Sequence, residues 1–310
     1  MSRAGNCVSR FFVRRRVGNY VSRLCRTTLL AEAGNAVSRS LIVGALVLGL
    51  NSSLPASILL CNLTMAYLLD TLNVTMSPTL HFDILTLFPG IFEGFLSESV
   101  LKNALAAEKL RICLHNMRNW ADDKHATMDD RPFGGGPGMV LKVDRVVPCV
   151  EDVQRQQPAP GRLILLTPQG RIFNQQLAES FAEEERIVLL CGRYEGFDER
   201  IIEILKPEEI SIGDYILNGG ETAAMVVIET VMRLIPGVLG DEDSNRYDSF
   251  SSGNRLLDCA QYTRPREFRG LAVPEVLLNG HHSEIARWRE ENIQQRTAEK
   301  RPDLLPCPAK

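Results

Sequence analysis

The sequence predicts an α/β fold built on a largely parallel sheet, and three observations carry that reading. Apolar runs rich in leucine and β-branched residues recur, each ending at a turn signal, with helix-like segments between them and glycines gathered at their ends. In a parallel sheet those ends share one edge, where ligands bind.

The first run, FDILTLF, stops at Pro89-Gly90. LILLT precedes Pro168-Gln169-Gly170, IVLLCG precedes Arg193, and ISIGDYIL precedes Asn218-Gly219-Gly220. EGFLSESVLKNALAAEKL and NQQLAESFAEEE have helical spacing, and MVVIETVMRLIPGVLG reads as a helix ending at Pro236-Gly237. The polar DEDSNRYDSFSSGN that follows is a linker or a mobile loop. From about Leu256 the pattern changes to short helical pieces rich in arginine, TRPREFRG and then HSEIARWREENIQQRTAEKRPDLL, which predicts a second, smaller helical domain. Between Arg264 and Arg301 it holds eight basic residues against six acidic ones.

A chain of 310 residues, 45% hydrophobic and 24% charged, can bury one sizeable core and a smaller second unit. Its eight cysteines form neither a C-x-x-C pair nor a Cys/His cluster, which speaks against a disulfide framework and a zinc site and fits a reducing cytoplasm. Residues 1–75 carry eight arginines against Glu32 and Asp70, so the rest of the chain stands near −9 beneath a formal net of −3. That acidic balance counts against a general affinity for nucleic acid and confines any RNA contact to local sites.

The arginine-rich start runs into LIVGALVLGL, an apolar stretch interrupted well short of the ~20 residues that span a bilayer. A targeting segment, a folded extension and a true translation start at Met76 compete. The last is preferred, because coherent patterning begins directly after Met76.

No G-x-x-x-x-G-K-[ST] occurs, and FGGGPGM at 133–139 lacks both the spacing and the preceding strand of a dinucleotide fingerprint. Its glycines fit a loop that moves or approaches a ligand closely. Three later loops, 167–171, 191–200 and 212–221, each follow an apolar run and so converge on one sheet edge. A ligand there would be gripped by backbone N–H and C=O groups between apolar walls from Leu166, Tyr194, Ile216 and Leu217. Such a site suits an adenosine and a sulfonium with little phosphate charge. Candidate reacting groups are Glu195 in the second loop, Arg233 late in the helix before the linker and Asp248 in the linker, with Asp214, Glu221, Asp198 and Glu199 as rivals. Hydrolase signatures are absent.

In order, the chain carries RPFGGGPGM, LTPQGR, LCGRYEGFDERI, SIGDYILNGGE, RLIPGVLG, DSF, LLDC, YTRP, VPEVLLNGHHSEIARWR and KRPDLL. Over residues 80–305 it resembles the TrmD family of bacterial tRNA (guanine-N1)-methyltransferases. The resemblance implies the SPOUT class: an α/β sheet whose cofactor site is a trefoil knot, plus a small α-helical C-terminal domain. It divides the chain into an extension over 1–78, disordered or untranslated, a methyltransferase domain over 79–238, a linker over 239–255 and a helical tRNA-binding domain over 256–310.

It further implies methylation of N1 of guanosine 37 of tRNA by S-adenosylmethionine, in a homodimer that shares its active sites between subunits, away from any membrane. Asp248 matches the family's general base, Arg233 the guanine-stabilising residue and Glu195 the acidic group near cofactor and base. Leu166, Pro168, Gly192, Tyr194, Ile212, Gly213, Asp214, Tyr215, Ile216, Leu217, Gly219 and Gly220 would hold the cofactor. The family is linked to Mg²⁺, for which the sequence has no dedicated site.

The chain departs from the family pattern at Thr222-Ala223-Ala224, where relatives have L-P-A, and at Ala260, where they have proline. Asn254-Arg255 are apparently two extra residues after Asp248, and relatives continue past the RPDLL segment into a final helix. Three other functions compete: a SPOUT enzyme with another RNA target, an RNA-binding protein without catalysis, and a small-molecule enzyme of Rossmann type. Retention of Asp248 and Arg233, intact cofactor loops and the missing fingerprint weigh against them in turn.

Overall fold

A computed structural model describes residues 6–7, 79–240, 245, 247–251 and 255–306. The readings of residues 1–78 and much of the linker reading over 239–255 therefore lie outside the described residues. Leu80–Lys310 belong to one compact unit.

A short strand, β1 (Asn6–Cys7), lies near the start of the chain. Within Leu80–Lys310 the main sheet contains β2 (Leu80–Thr86), β3 (Leu110–Asn116), β6 (Arg162–Ile172), β7 (Arg186–Cys191) and β8 (Glu208–Ser211), in the order β3-β2-β7-β6-β8. The pairs β2–β3, β2–β7, β6–β7 and β6–β8 are all parallel. Every residue of RIVLLC in β7 is buried, as a central parallel strand covered on both faces requires.

Period-two alternation divides the core between those faces. Phe82, Ile84, Ile187, Leu189 and Ile164 pack against Leu101 of α2 (Ser99–Ala106), Phe181 of α4 (Gln175–Ala182) and Val227 and Val231 of α6 (Gly220–Met232). Leu85, Val188, Leu190 and Leu165 meet Val146, Val150 and Val153 of α3 (Val143–Arg155) and Ile201 of α5 (Glu199–Leu205). The helix expected over 93–110 is broken into α1 (Glu93–Ser97) and α2, because Glu98 is extended and Ser99 has a φ of +59°.

Two predicted runs end differently. ISIGDYIL keeps strand geometry only to Ser211: Gly213 at φ +146° and the Tyr215 N–H bonded to the Gly213 carbonyl turn the chain out of the sheet. LILLT continues as a strand to Ile172, after a bulge. LRICLHN, unremarked in the pattern, forms β3; Arg111 and His115 interrupt its apolar run.

In the C-terminal part TRPREFRG is not helical. Glu267–Phe268 (β9) and Leu271–Ala272 (β10) pair antiparallel across Arg269-Gly270. Both turn residues have positive φ, +52° and +78°, the geometry that closes a two-residue hairpin. The long helix α7 (His282–Lys300) is present as expected. It is fastened by the Leu257 N–H to Thr297 Oγ1 (3.2 Å) and the Ala260 N–H to Asn292 Oδ1 (2.7 Å). Among the described residues no helix is long and apolar enough to cross a membrane.

Candidate active site

Because β6, β7 and β8 run in parallel, their carboxyl ends bring the three glycine-bearing loops to one edge, around a cavity of about 280 Å³. The first loop is a loss of register within β6: Leu166 and Arg171 both pair with Ile210, so Thr167–Gly170 project from the sheet. Gly170 makes this excursion feasible, since a Cβ there would lie 2.3 Å from the Glu209 carbonyl carbon and the Ile210 nitrogen. In the second loop Tyr194 (φ +61°) and Gly196 (φ +109°) take left-handed geometry. Leu166, Pro168, Gly192, Tyr194, Ile212, Gly213, Tyr215, Ile216, Leu217, Gly219 and Gly220 all line the cavity, as does Glu195. Asp214 is exposed and outside the lining.

The early glycine run joins this site. Asp129–Asp130 (β4) and Val140–Leu141 (β5) form a hairpin whose connecting loop is 131–139. Its base is tied to the second loop by the Glu195 N–H to the Met139 carbonyl, the Leu141 N–H to the Gly196 carbonyl and the Asp198 N–H to the Leu141 carbonyl. The Glu195 side chain lies across Gly138, where a Cβ would come within 2.2 Å of its Oε1.

An ion pair not foreseen from the sequence closes the inner wall. Arg193 Nε lies 3.0 Å from Glu221 Oε2, with the arginine side chain 20% exposed and the glutamate 2%. Glu221 Oε1 accepts the Thr86 hydroxyl at 2.7 Å, and the Arg193 guanidinium stacks 4.7 Å above the Phe88 ring. The pair joins the ends of β2 and β7 to the first turn of α6, where the helix dipole favours a carboxylate. The signal was available: an arginine directly after the apolar run IVLLCG, and a glutamate directly after a Gly-Gly that starts a helix. Burial, then the Glu221 charge, pushes the Cys191 thiol well above its ordinary value against the opposing pull of Arg193. Cys191 is thus no thiolate nucleophile at this edge.

Arg233 and Asp248 meet each other elsewhere. Arg233 Nη2 donates to Asp248 Oδ2 at 2.5 Å, and the side chains are 42% and 49% exposed. Arg233 caps the C-terminus of α6 while Gly220 begins that helix at the cavity. The thirteen residues of α6 separate them by about 20 Å at 1.5 Å per residue. Within one chain, then, the three expected reacting groups do not converge: Glu195 is at the cavity, and Arg233 with Asp248 is a helix length away. Arg255 anchors this region by donating to both oxygens of Glu179 on α4, at 2.5 and 2.6 Å, and to the Phe250 carbonyl at 2.9 Å.

Among the rivals, Asp198 caps α5 and pairs with Arg200, and that hydrogen bond holds its carboxyl below the usual range. Glu199 lines the cavity. On the α3 face of the sheet, Asp83 accepts from His115 Nε2 (2.7 Å) and Arg186 Nε (2.8 Å). Burial works to raise the Asp83 carboxyl, but the His115 hydrogen bond, the histidine charges and Arg186 outweigh it and hold it low. His81, Asp83 and Cys113 bring potential metal-ligand atoms within 4.8 Å of one another. The Asp83 carboxylate is already neutralised by Arg186, which opposes a cation there.

Comparison with known proteins settles the kinship. The family model described as tRNA (Guanine-1)-methyltransferase TrmD matches residues 80–307. The chain belongs to this family. A protein of Rhodopirellula baltica named tRNA (guanine-N(1)-)-methyltransferase is 58% identical over 228 residues, covering 73% of this chain and 94% of the relative. Relatives with the same name from Geobacter sp. strain M21 and Geobacillus kaustophilus are 53% and 54% identical over 226 residues, 73% of this chain and 90% and 91% of theirs. Of the positions read from the sequence as departures from the family pattern, Ala223 is in the cavity lining and Arg255 pairs with Glu179 of α4.

Proposed function

We propose that this chain transfers a methyl group from S-adenosylmethionine to N1 of guanosine 37 of tRNA, giving 1-methylguanosine. The observation that carries the reading is the convergence of the three strand-end loops, with Glu195, on a cavity made of backbone and apolar side chains. The donor set fits the cofactor. Glycines 192, 213, 219 and 220 expose peptide groups for an adenosine and an amino-acid end, and Leu166, Ile212, Ile216 and Leu217 wall a base and a thioether. S-adenosylmethionine would supply an electrophilic methyl group at this edge.

The remaining chemistry falls to the chain's own residues. Guanine N1 becomes nucleophilic on losing its proton, which Asp248 accepts as general base within hydrogen-bond reach. Charge then grows on O6, where the Arg233 guanidinium stabilises it. Their mutual ion pair means that each must exchange its partner for the guanine, a substitution that half-exposed side chains make readily. Glu195 acts at the cavity beside the bound base, which must leave its stack to enter.

The helix length between Glu195 and the Arg233–Asp248 pair is why we place each active site between two copies of the chain, Glu195 from one and Arg233 with Asp248 from the other. The excursion at Thr167–Gly170, beside loops 192–198 and 212–219, is our location for a SPOUT knot. We assign methyl transfer to residues 79–238 and tRNA docking to 256–310, whose basic surplus faces phosphates, with 239–255 as the connection. The buried thiols of Cys149, Cys191 and Cys259, none of them in a disulfide, support a reducing, cytoplasmic setting.

The test is transfer of a labelled methyl group from S-adenosylmethionine to tRNA transcripts with guanosine or adenosine at position 37. Label confined to the guanosine transcript, and lost in Asp248→Ala while cofactor binding persists, is the expected result. A folded, cofactor-binding wild type that labels neither would overturn it.

A further inference from the structure

The glycine run at 131–139 holds one side chain that the fold does not use. Phe133 is fully exposed, the only large apolar side chain among the described residues with no part covered. Its position is built: the Gly135 N–H closes a turn onto the Pro132 carbonyl at 3.3 Å, with Gly134 at φ +85° after the phenylalanine. Such a turn needs a left-handed residue at its third position and leaves the second at the corner, aimed outward. Gly134, Gly135 and Gly136 all have positive φ, and a Cβ on any of them would meet nothing within 4 Å. These glycines therefore serve backbone shape rather than packing, and the phenyl ring stands on a bare support.

That support is fixed to the active site. The loop's far end lies under the Glu195 side chain at Gly138, and the Met139 carbonyl accepts the Glu195 N–H at 2.9 Å. Arg131 is exposed at the loop's base and adds a positive charge. An aromatic ring and a guanidinium on a loop whose far end meets the cavity-lining Glu195 match what single-stranded nucleic acid offers, a π face next to a phosphate.

We propose that Phe133 stacks on a nucleobase adjacent to the target guanosine in the RNA, holding open the gap that the target leaves. The inference rests on the reading of the chain as a tRNA methyltransferase and adds the residue that grips the target's neighbour. A flipped-out base leaves its neighbour with one uncovered face, and Phe133 supplies the missing stack.

The experiment uses the full chain and tRNA carrying 2-aminopurine on either side of the target guanosine. Wild type should quench one of the two probes, and Phe133→Ala should abolish that quench. The alanine variant should also raise the KM for tRNA by roughly ten- to a hundredfold, the range expected for one stacked base. Its Kd for S-adenosylmethionine should match wild type, and Phe133→Tyr should restore both quench and KM. An unchanged quench in Phe133→Ala overturns the proposal. So does a shift of that variant from dimer to monomer in sedimentation, which would make Phe133 a contact between copies. If wild type transfers no methyl group while its quench still depends on Phe133, the enzyme reading fails and the stacking role stands.

Discussion

The two ends of α6 each carry an arginine–carboxylate pair, and the two pairs are built for opposite purposes. At the N-terminal end Arg193 and Glu221 are 3.0 Å apart and largely buried, with Thr86 and Phe88 completing their surroundings. At the C-terminal end Arg233 and Asp248 are closer, 2.5 Å, yet nearly half exposed. Separation alone would rank the second pair as the stronger. Solvent reverses the ranking: an exposed pair contributes little because water competes for both charges, whereas removing one member of a buried pair strands the other. The inner pair holds a wall in place, and the outer pair is open to exchange its partners with solvent.

Exchange at the outer pair gives the largest expected effect. Arg233→Gln should lower methyl-transfer turnover by about 10²- to 10³-fold, the cost of one donor to a developing oxyanion, while unfolding stability falls by less than about 1 kcal/mol. Steady-state kinetics alongside urea titration measures both, and a large stability loss with modest kinetic change would erase the contrast between the ends. Glu221→Ala should do the reverse, destabilising the chain by about 3 kcal/mol because Arg193 and the Thr86 hydroxyl lose their acceptor. Recovery of most of that stability in the Arg193→Met, Glu221→Leu double variant would confirm that a stranded charge is the cause.

Gly170→Ala should cost about 1–3 kcal/mol and weaken S-adenosylmethionine binding, since its methyl group would press on the Glu209–Ile210 backbone that frames the cavity. Calorimetric titration would register wild-type affinity if β8 can give way. The smallest effect is graded with pH and lies on the α3 face of the sheet. Burial lowers the His81 pKa, so its neutral form suits the fold, and stability present above the ordinary histidine value of 6.5 declines as pH falls toward the lowered one. Asp83, also lowered, contributes stability above its ordinary value of 3.8 and loses it as pH falls through the folded value. Thermal melts of wild type and His81→Gln should diverge in pH dependence only below about 6.5. Parallel curves across that range would remove His81 from the account.

The cavity was legible because its makers are local: an apolar run followed by glycine places a loop at a strand end whatever else the chain does. Asp214 was the exception, a polar residue within a run whose neighbours line the cavity. Strand β3 escaped notice because Arg111 and His115 break its pattern, although His115 finds its partner in Asp83 across the sheet. Helix α3 contains Pro148 among five valines, a composition that argues against helix until the buried face of Val146, Val150 and Val153 decides it. The hairpin at 267–272 was hidden by Arg269, a residue seldom expected at positive φ. Long-range pairs such as Arg193–Glu221 and Arg255–Glu179 join residues with no shared local pattern, and only the fold brings them together.

Helix α6 also sets a phase. Each added residue would rotate Arg233 by about 100° about the helix axis and advance it by about 1.5 Å relative to the Gly219–Glu221 end. Substitutions along its outer face leave that angle untouched, whereas a single insertion or deletion would point the guanidinium away from Asp248. Beyond the helix the chain is fastened separately, by Arg255 to Glu179 of α4. The helix thus acts as a ruler between the Gly219–Glu221 end and the Arg233–Asp248 pair.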